Sequence, residues 1–382
     1  MSAGFDILVV ADPRFSGGST AALVADVTAM VALGATVGLI FVRSGYLDDA
    51  RDPENPKALA LADLDGVTRL SPERAAHADL AFLHHPLVFF RGIEERLRLT
   101  AGRSLIVAHH APFRADGSME WDPVATLRRA KRATGLSAWF APISGSVRTQ
   151  LASFAPLIRQ SSEDWPNVFD PGDLAPTRRA LSGPDLTIGR HGRPDPLKFP
   201  ATGAEIDAAL PAAHGIRVRV LGCPTEALIA RGARTDLWEV LPFGGEPVAQ
   251  FLNSLDVFAY HYHPNWLEAF GRTIAEAMLC ARPCLLDPRL QATFGNMACY
   301  CQPHEVADAL RRMTAAPERT LTRADAARET AVRRYAAIGV AARLETLRID
   351  SGDAGRAGAA YPVMRTVRKA VGLYRRQTQG LS

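Results

Sequence analysis

Two carboxylates, Glu268 and Glu276, stand with seven residues between them in the stretch EAFGRTIAE. The apolar run Leu255–Tyr260 ahead of them reads as a strand end, and the polar segment His261–Leu267 as a loop. Beyond it Phe270, Ile274, Ala277 and Met278 recur as one apolar helical face, so a helix is expected to start near Phe270. Glu268 then lies in the loop and Glu276 on the second turn, roughly 12 Å apart at helical rise. That is too far to share a proton and suits gripping two parts of one elongated ligand. Between them, the N–H groups around Phe270, Gly271 and Arg272 lie at the positive end of the helix, where a phosphate is welcome. Carboxylate, anion cradle, carboxylate matches the hydroxyl, diphosphate and hydroxyl groups of a sugar nucleotide. The plain alternative is a pair of solvated glutamates on a surface helix; the strand, the polar loop, Gly271 and the small-residue exit at Ala281-Arg282-Pro283 argue against it.

A second group of charges is Arg190, Arg193 and Lys198, set in GRHGRPDPLKFP on a proline-stiffened loop after the strand Leu186–Ile188. Arginine forks two phosphate oxygens and lysine adds a point charge, so the set suits a diphosphate, a solvated basic loop being the alternative. Two histidine pairs follow strands: His84-His85 after Leu80–Leu83, and His109-His110 after Leu105–Ala108. Open α/β sheets bind ligands at the carboxyl ends of strands. Cys280-x3-Cys284 and Cys299-x-Cys301 share their spacing with no histidine cluster, so these and Cys223 are expected to be buried reduced thiols. No metal site and no D-x-D motif is read.

These groups need a scaffold. The chain opens with a strand (Asp6–Val10), a loop containing Gly17-Gly18, a helix (Ser19–Leu33) and a second strand (Thr36–Val42), the start of a doubly wound sheet. Gly17 and Gly18 let backbone approach a phosphate. The full G-x-G-x-x-G pattern is missing, which argues against a dinucleotide dehydrogenase. Another strand is expected at Ala138–Ile143, and residues 161–180 read as a Pro-rich linker. A second α/β unit follows, with strands at Leu186–Ile188, Ile216–Leu221, Leu237–Leu241 and Pro283–Leu286, and helices at Val248–Leu255, 304–314 and 322–348. The expected domains are 1–175, 176–350 and a basic tail, 351–382. In that tail Gly352–Ala360 is flexible in composition, and Pro362–Arg376 carries Val363, Val367 and Val371 on one side. Arg365, Arg368, Lys369, Arg375 and Arg376 surround them, which reads as a membrane-surface helix or as one packed on its own protein.

With 382 residues the chain has room for two cores, and a net charge of +4 makes no case for nucleic acid. The first residues lack a positive region ahead of a long apolar run, and no stretch approaches the ~18 apolar residues of a membrane span. The expected setting is cytoplasmic, peripheral at the inner membrane face if the tail binds lipid.

From Gly189 to Tyr300 (GRHGRPDPLKFP, RVRVLG, SLDVF, EAFGRTIAEAM, ARPCLL) the chain resembles the retaining glycosyltransferases of the GT-B fold, specifically family 4. In the N-terminal half only the Gly17-Gly18 loop and the strand-end histidines match. The resemblance implies two Rossmann-like domains facing a cleft and a nucleotide-diphosphate sugar as donor, with no cofactor or metal. Arg190 and Lys198 would neutralise the diphosphate, Glu276 bind the ribose and Glu268 the transferred sugar. The amides of Phe270 and Gly271 would face sugar and phosphate, and Gly17 and Gly18 would close over the donor. The family histidine would be His110 or His109. The implied acceptor is a carbohydrate, lipid-linked molecule or protein, in cell-surface glycan synthesis. There are departures: the family often has Lys-Gly where this chain has Lys198-Phe-Pro, at a longer Arg-to-Lys spacing, which leaves the share of Arg193 open. His261, Tyr262, His263 and Trp266 also replace the smaller polar residues usual before Glu268, and either line the site or pack. The rival readings are a sugar-nucleotide epimerase of the same fold and a non-catalytic nucleotide-sugar-binding subunit.

Overall fold

A computed structural model describes residues 3–47, 52–349 and 363–378. The chain forms two compact units: one runs to Val168 and takes in the chain again from Ala337, and the other is Phe169–Ala336. The first holds β1 (Ala3–Ala11), β2 (Val37–Phe41), β3 (Val67–Leu70), β4 (Ala76–His84), β5 (Leu99–Ala108) and β6 (Trp139–Pro142). The second holds β7 (Leu186–His191), β8 (Ile216–Leu221), β9 (Glu239–Leu241), β10 (Val257–Tyr260), β11 (Cys284–Leu286) and β12 (Cys299–Tyr300).

The first sheet has the order β3-β2-β1-β4-β5-β6 and the second β12-β11-β10-β7-β8-β9, and every pairing is parallel. Both are the same doubly wound order read from either edge. The order reverses between β1 and β4 in one unit and between β7 and β10 in the other, which fixes where each sheet offers a crevice. The central strands are apolar runs because helices cover both faces: Leu8, Val9, Val10, Phe82 and Leu83 in the first unit, and Val257 and Phe258 in the second, are all 0% exposed. The edge strand β3 was not legible in the sequence; it is only four residues long, and two of the four are exposed.

Several boundaries differ from expectation. β7 does not stop at Ile188 but continues to His191, because Arg190 and His191 pair with Val220 and Leu221 of β8. The helix expected over 322–348 is two helices, Pro317–Tyr335 and Ala337–Ile349, broken where Ala336 turns extended (ψ 173). The break is where the chain leaves the second unit, whose edges fall after Val168 and after Ala336, where 175/176 and 350/351 were expected. Helix Ala337–Ile349 packs on helix Gly18–Ala32 of the first unit, and Arg343 lies 4.9 Å from the Trp165 ring centroid. The segment 161–180 is tied down at both ends: Trp165 is buried and donates to Asp26 at 3.0 Å, and Arg178 donates to Asp256 at 2.9 Å. Of the tail, Gly352–Ala360 and Pro362 lie outside the described residues, and Val363–Thr378 is helical.

All five cysteines are free; Cys280, Cys284 and Cys301 are buried, whereas Cys223 and Cys299 are partly exposed, a correction to the expectation that all would be buried. Cys223 lies two residues beyond β8, and Cys299 begins the edge strand β12. Among the described residues no three His, Cys, Asp or Glu side chains gather as a metal site.

Candidate functional site

At the reversal point of the second sheet, β7 delivers Arg190. It lies on the strand rather than on the following loop, and is 3% exposed. Its Nη1 donates to the His261 carbonyl at 2.9 Å, and its guanidinium carbon lies 4.1 Å from the Phe199 ring centroid and 4.3 Å from that of Tyr260. Burial lowers its pKa while Tyr260, Cys223 and Glu268 work the other way; a guanidinium stays protonated regardless. Stacking of a desolvated guanidinium on a ring contributes about 2 kcal/mol. The result is a cation with little freedom to move.

The segment from Arg193 to Lys198 is folded back by a short 3-10 turn, Pro196–Lys198, capped by Asp195, which accepts from the Leu197 amide at 2.9 Å. Arg231 donates to the Pro196 and Pro200 carbonyls at 2.9 and 3.0 Å, and the His263 amide donates to the Leu197 carbonyl at 3.0 Å. That turn takes up the longer spacing from Arg190 to Lys198. Lys198 is half-buried, with Nζ 5.8 Å from the Trp266 ring centroid. Burial lowers its pKa, Glu268 counters this, and Arg190 and Arg193 lower it further. Arg193 is exposed.

Glu268 is held by the Tyr260 hydroxyl, which donates to Oε2 at 2.7 Å, and by Trp266 Nε1, which donates to the same oxygen at 3.4 Å. Tyr260 ends β10, is 1% exposed, and has its phenol pushed well above the usual range by burial and then by Glu268. The loop from β10 to Glu268 is braced from below. His261 is buried, its Nε2 lies 2.9 Å from the Cys301 carbonyl oxygen, and burial lowers its imidazole to about 4. Arg289 pairs with Asp287 at 2.9 and 2.6 Å, donates to the Tyr262 carbonyl at 2.7 Å, and lies 3.9 Å from the Tyr262 ring centroid. Of the aromatics before Glu268, His261 and Tyr262 therefore pack, and Trp266 touches both Glu268 and Lys198.

The helix starts at Arg272, not near Phe270, because Gly271 takes the left-handed conformation (φ 87, ψ 60) that ends the loop. A Cβ there would lie 2.8 Å from Ile274 Cδ1, so the position needs glycine. The Phe270 ring is 3% exposed and packs on Tyr335 at 5.5 Å and Phe294 at 6.1 Å between centroids, leaving its backbone as the part that can meet a ligand. Glu276, on the second turn, has Oε2 3.2 Å from His191 Nε2, off the line of a good hydrogen bond, and Oε1 3.8 Å from Arg272 Nη2. The two glutamates thus have separate partners, and neither is simply solvated. His191 and Tyr260 escaped the sequence reading; each is the last residue of a strand flanking the reversal point, which was the available signal.

In the first unit Gly17 and Gly18 are exposed after β1, and Gly17 has φ 66 and ψ −132, a region closed to other residues. The helix begins at Gly18. Beneath the loop, Asp12 accepts from Arg14 at 2.9 and 2.6 Å and from the amide and hydroxyl of Ser44, both at 2.9 Å. Burial pushes the Asp12 carboxyl up, and these bonds outweigh it, so its pKa is lowered. After β4 and β5, His109 Nε2 lies 3.3 Å from His84 Nδ1, and His85 lies over Phe15 with ring centroids 4.5 Å apart. Burial lowers His84 to about 3 and takes His85 and His109 well below the usual imidazole range. The His110 side chain is 44% exposed, with Nδ1 3.9 Å from Glu120 Oε2, and lowers the Glu120 pKa. Of the pair His109 and His110, the latter has the accessible ring. Gly17, Gly18 and His110 belong to the first unit; the other expected site residues gather in the second.

No family model and no curated protein matches this chain. Solved structures do. HepE from Anabaena in complex with UDP superposes with a TM-score of 0.60 at 15% identity, over 89% of this chain and 98% of that one. A glycosyltransferase from Rickettsia africae gives 0.56 at 13%, over 91% and 98%. WaaG, a glycosyltransferase involved in lipopolysaccharide biosynthesis, gives 0.51 at 12%, over 91% and 100%. At such identities the likeness concerns the fold, and the fold is GT-B: two doubly wound α/β units.

Proposed function

We propose that this chain is a retaining, metal-independent glycosyltransferase that moves a sugar from a nucleotide-diphosphate sugar to a hydroxyl of a carbohydrate, lipid-linked or protein acceptor in cell-surface glycan synthesis. The observation that carries the reading is the grouping, at the carboxyl ends of β7 and β10, of a clamped Arg190 and a half-buried Lys198 with a Glu268 held by Tyr260. As the sugar departs, negative charge grows on the diphosphate. Cations already fixed in place stabilise that charge without reorganising, which is the largest catalytic device open to this site.

In this reading Lys198 and Arg190 meet the diphosphate, with Arg193 at the rim. The backbone of Phe270 and Gly271 and the amino end of helix Arg272–Leu279 add to the positive field. Glu268 accepts hydrogen bonds from the hydroxyls of the sugar, and Glu276, backed by His191 and Arg272, from those of the ribose. His110 serves the sugar or acceptor side, with Gly17 and Gly18 closing over the donor. Fold likeness supports the assignment, and because HepE was solved with UDP and with UDP-glucose, uridine is the first base to test.

The test is a thermal-melt screen in EDTA against UDP, GDP, ADP, dTDP and CMP with their sugar conjugates. A ligand present at 100 times its Kd stabilises the native state by about 2.7 kcal/mol. In a unit of this size that raises the melting temperature by roughly 5–10 °C. A shift from one nucleoside diphosphate supports the donor site, and no shift from any of them sinks it. With the donor known, turnover only with an acceptor supports transfer, turnover without one indicates the epimerase, and binding without turnover indicates the non-catalytic subunit.

A further inference from the structure

Helix Val363–Thr378 presents Met364, Val367, Val371 and Tyr374 to solvent, with 64%, 46%, 45% and 68% of their surfaces exposed. At about 100° per residue these four fall within one arc of roughly 80°. Lys369 points the opposite way, about 180° from the centre of that arc, and its Nζ lies 5.2 Å from the Phe154 ring centroid of the first unit. The helix is therefore seated by the face that bears Lys369 and turns its apolar stripe outward. Arg368 and Arg375, both exposed, flank the stripe along one edge. The helix sequence, VMRTVRKAVGLYRRQT, contains five basic residues and no acidic one.

We infer that this helix is an interfacial anchor that lays its Met364–Tyr374 stripe into the surface of an anionic bilayer. Charge selects the occupant. A second protein covering the stripe would need an apolar face rimmed by acids, whereas a bilayer of anionic lipids offers both by composition. The four side chains supply the apolar contact, Tyr374 is suited to the headgroup level, and Arg368 and Arg375 reach phosphates beside them. Among the described residues no helix is long and apolar enough to cross a membrane, so this contact lies on the surface and is reversible. The inference is independent of the proposed sugar transfer.

The experiment is co-sedimentation of the full chain with sucrose-loaded vesicles of phosphatidylcholine alone, or of phosphatidylcholine with about a third phosphatidylglycerol. The expected result is binding to the anionic vesicles, with much weaker binding to neutral ones and a fall as ionic strength rises from 0.01 to 0.1 M, where the screening length shortens from about 30 to about 10 Å. R368E/R375E removes two cations at the surface and should weaken binding on the order of thirtyfold, more if the new acids repel lipid. V367E/V371E should abolish binding while leaving the thermal melt unchanged, since both positions are exposed. Two results overturn the inference: no binding of the wild-type chain to anionic vesicles at low salt, or equal binding by V367E/V371E. Loss of V367E/V371E binding together with a lowered melt is resolved by R368E/R375E, whose unchanged affinity would also overturn it.

Discussion

Tyr260→Phe tests the placing of Glu268. The ring stays, so the Arg190 guanidinium keeps its aromatic neighbour at 4.3 Å; the hydroxyl that is lost donates to Glu268 at 2.7 Å and also lies within reach of Arg190. A hydrogen bond to a charged acceptor is worth about 1.5–3 kcal/mol. Glu268 is only half-buried and can regain water, so the expected stability loss is about 1 kcal/mol, or roughly 2–4 °C in the melt of the second unit. The carboxylate is then left with the longer Trp266 bond at 3.4 Å and the attraction of Lys198, and it drifts from its set position. A misplacement near 1 Å can cost about a hundredfold in rate, so turnover should fall ten- to a hundredfold. Affinity for the nucleoside diphosphate, which meets the cations rather than Glu268, should stay within about twofold. The assay is nucleotide release with saturating donor and acceptor, set beside calorimetric binding of the free nucleotide. Tyr260→Phe added to Glu268→Ala should cost nothing further, because the hydroxyl acts through the carboxylate. Equal losses of turnover and nucleotide affinity, or no loss of turnover, would refute the assignment of Glu268 to the sugar.

Lys198→Met keeps the stem and removes the charge; nucleotide affinity and turnover should both fall, the affinity on the order of tenfold, or about 1.4 kcal/mol. Calorimetry at low and high salt checks it, since the affinity of the variant should depend less on ionic strength. Acid should destabilise both units. Burial depresses His84 to about 3 and His261 to about 4, so from pH 6.5 downward the unfolded chain takes up protons that the folded chain refuses. Stability is thus full above pH 6.5 and falls with pH until the folded imidazoles charge, by about 2 kcal/mol for each histidine between pH 7 and pH 5. Thermal melts across that range test it, and a flat profile would show that these imidazoles are not held neutral.

The fold was legible because doubly wound sheets write themselves as apolar runs separated by helices, and the runs at Leu8–Val10 and Val257–Phe258 are buried on both faces as such runs must be. The cations and the glutamates were legible because charge at a strand's carboxyl end is uncommon without a use. What escaped was set by tertiary pairing. β7 reaches His191 only because β8 is there to pair with it, and Tyr260 and His191 gained meaning only when Glu268 and Glu276 came within 2.7 and 3.2 Å of them. The break at Ala336 has no proline or glycine to announce it; it exists because helix Ala337–Ile349 buries Val340 and Leu347 in the first unit. Position 270 misled for a similar reason. The phenylalanine fits the helical apolar period, yet its ring belongs to a cluster with Tyr335 and Phe294, and the left-handed Gly271 delays the helix.

The two reversal points differ in electrical character. In the first unit Asp12 and Arg14 pair at 2.6 Å, burial takes His84, His85 and His109 below the usual imidazole range, and Glu120 is met by Arg114 and His110. In the second unit Arg190 is buried with the His261 carbonyl, the Phe199 and Tyr260 rings and the Tyr260 hydroxyl beside it, and the Glu268 carboxylate attracts it. In the proposed reading an arriving diphosphate adds to that compensation. Lys198 tells the same story: burial and the neighbouring arginines lower its pKa, and an arriving diphosphate would restore it. That contrast supports the proposal that the second unit holds the diphosphate. It makes the affinity of the free nucleotide the sharper measure of Arg190 and Lys198, and the acceptor dependence of turnover the sharper measure of His110.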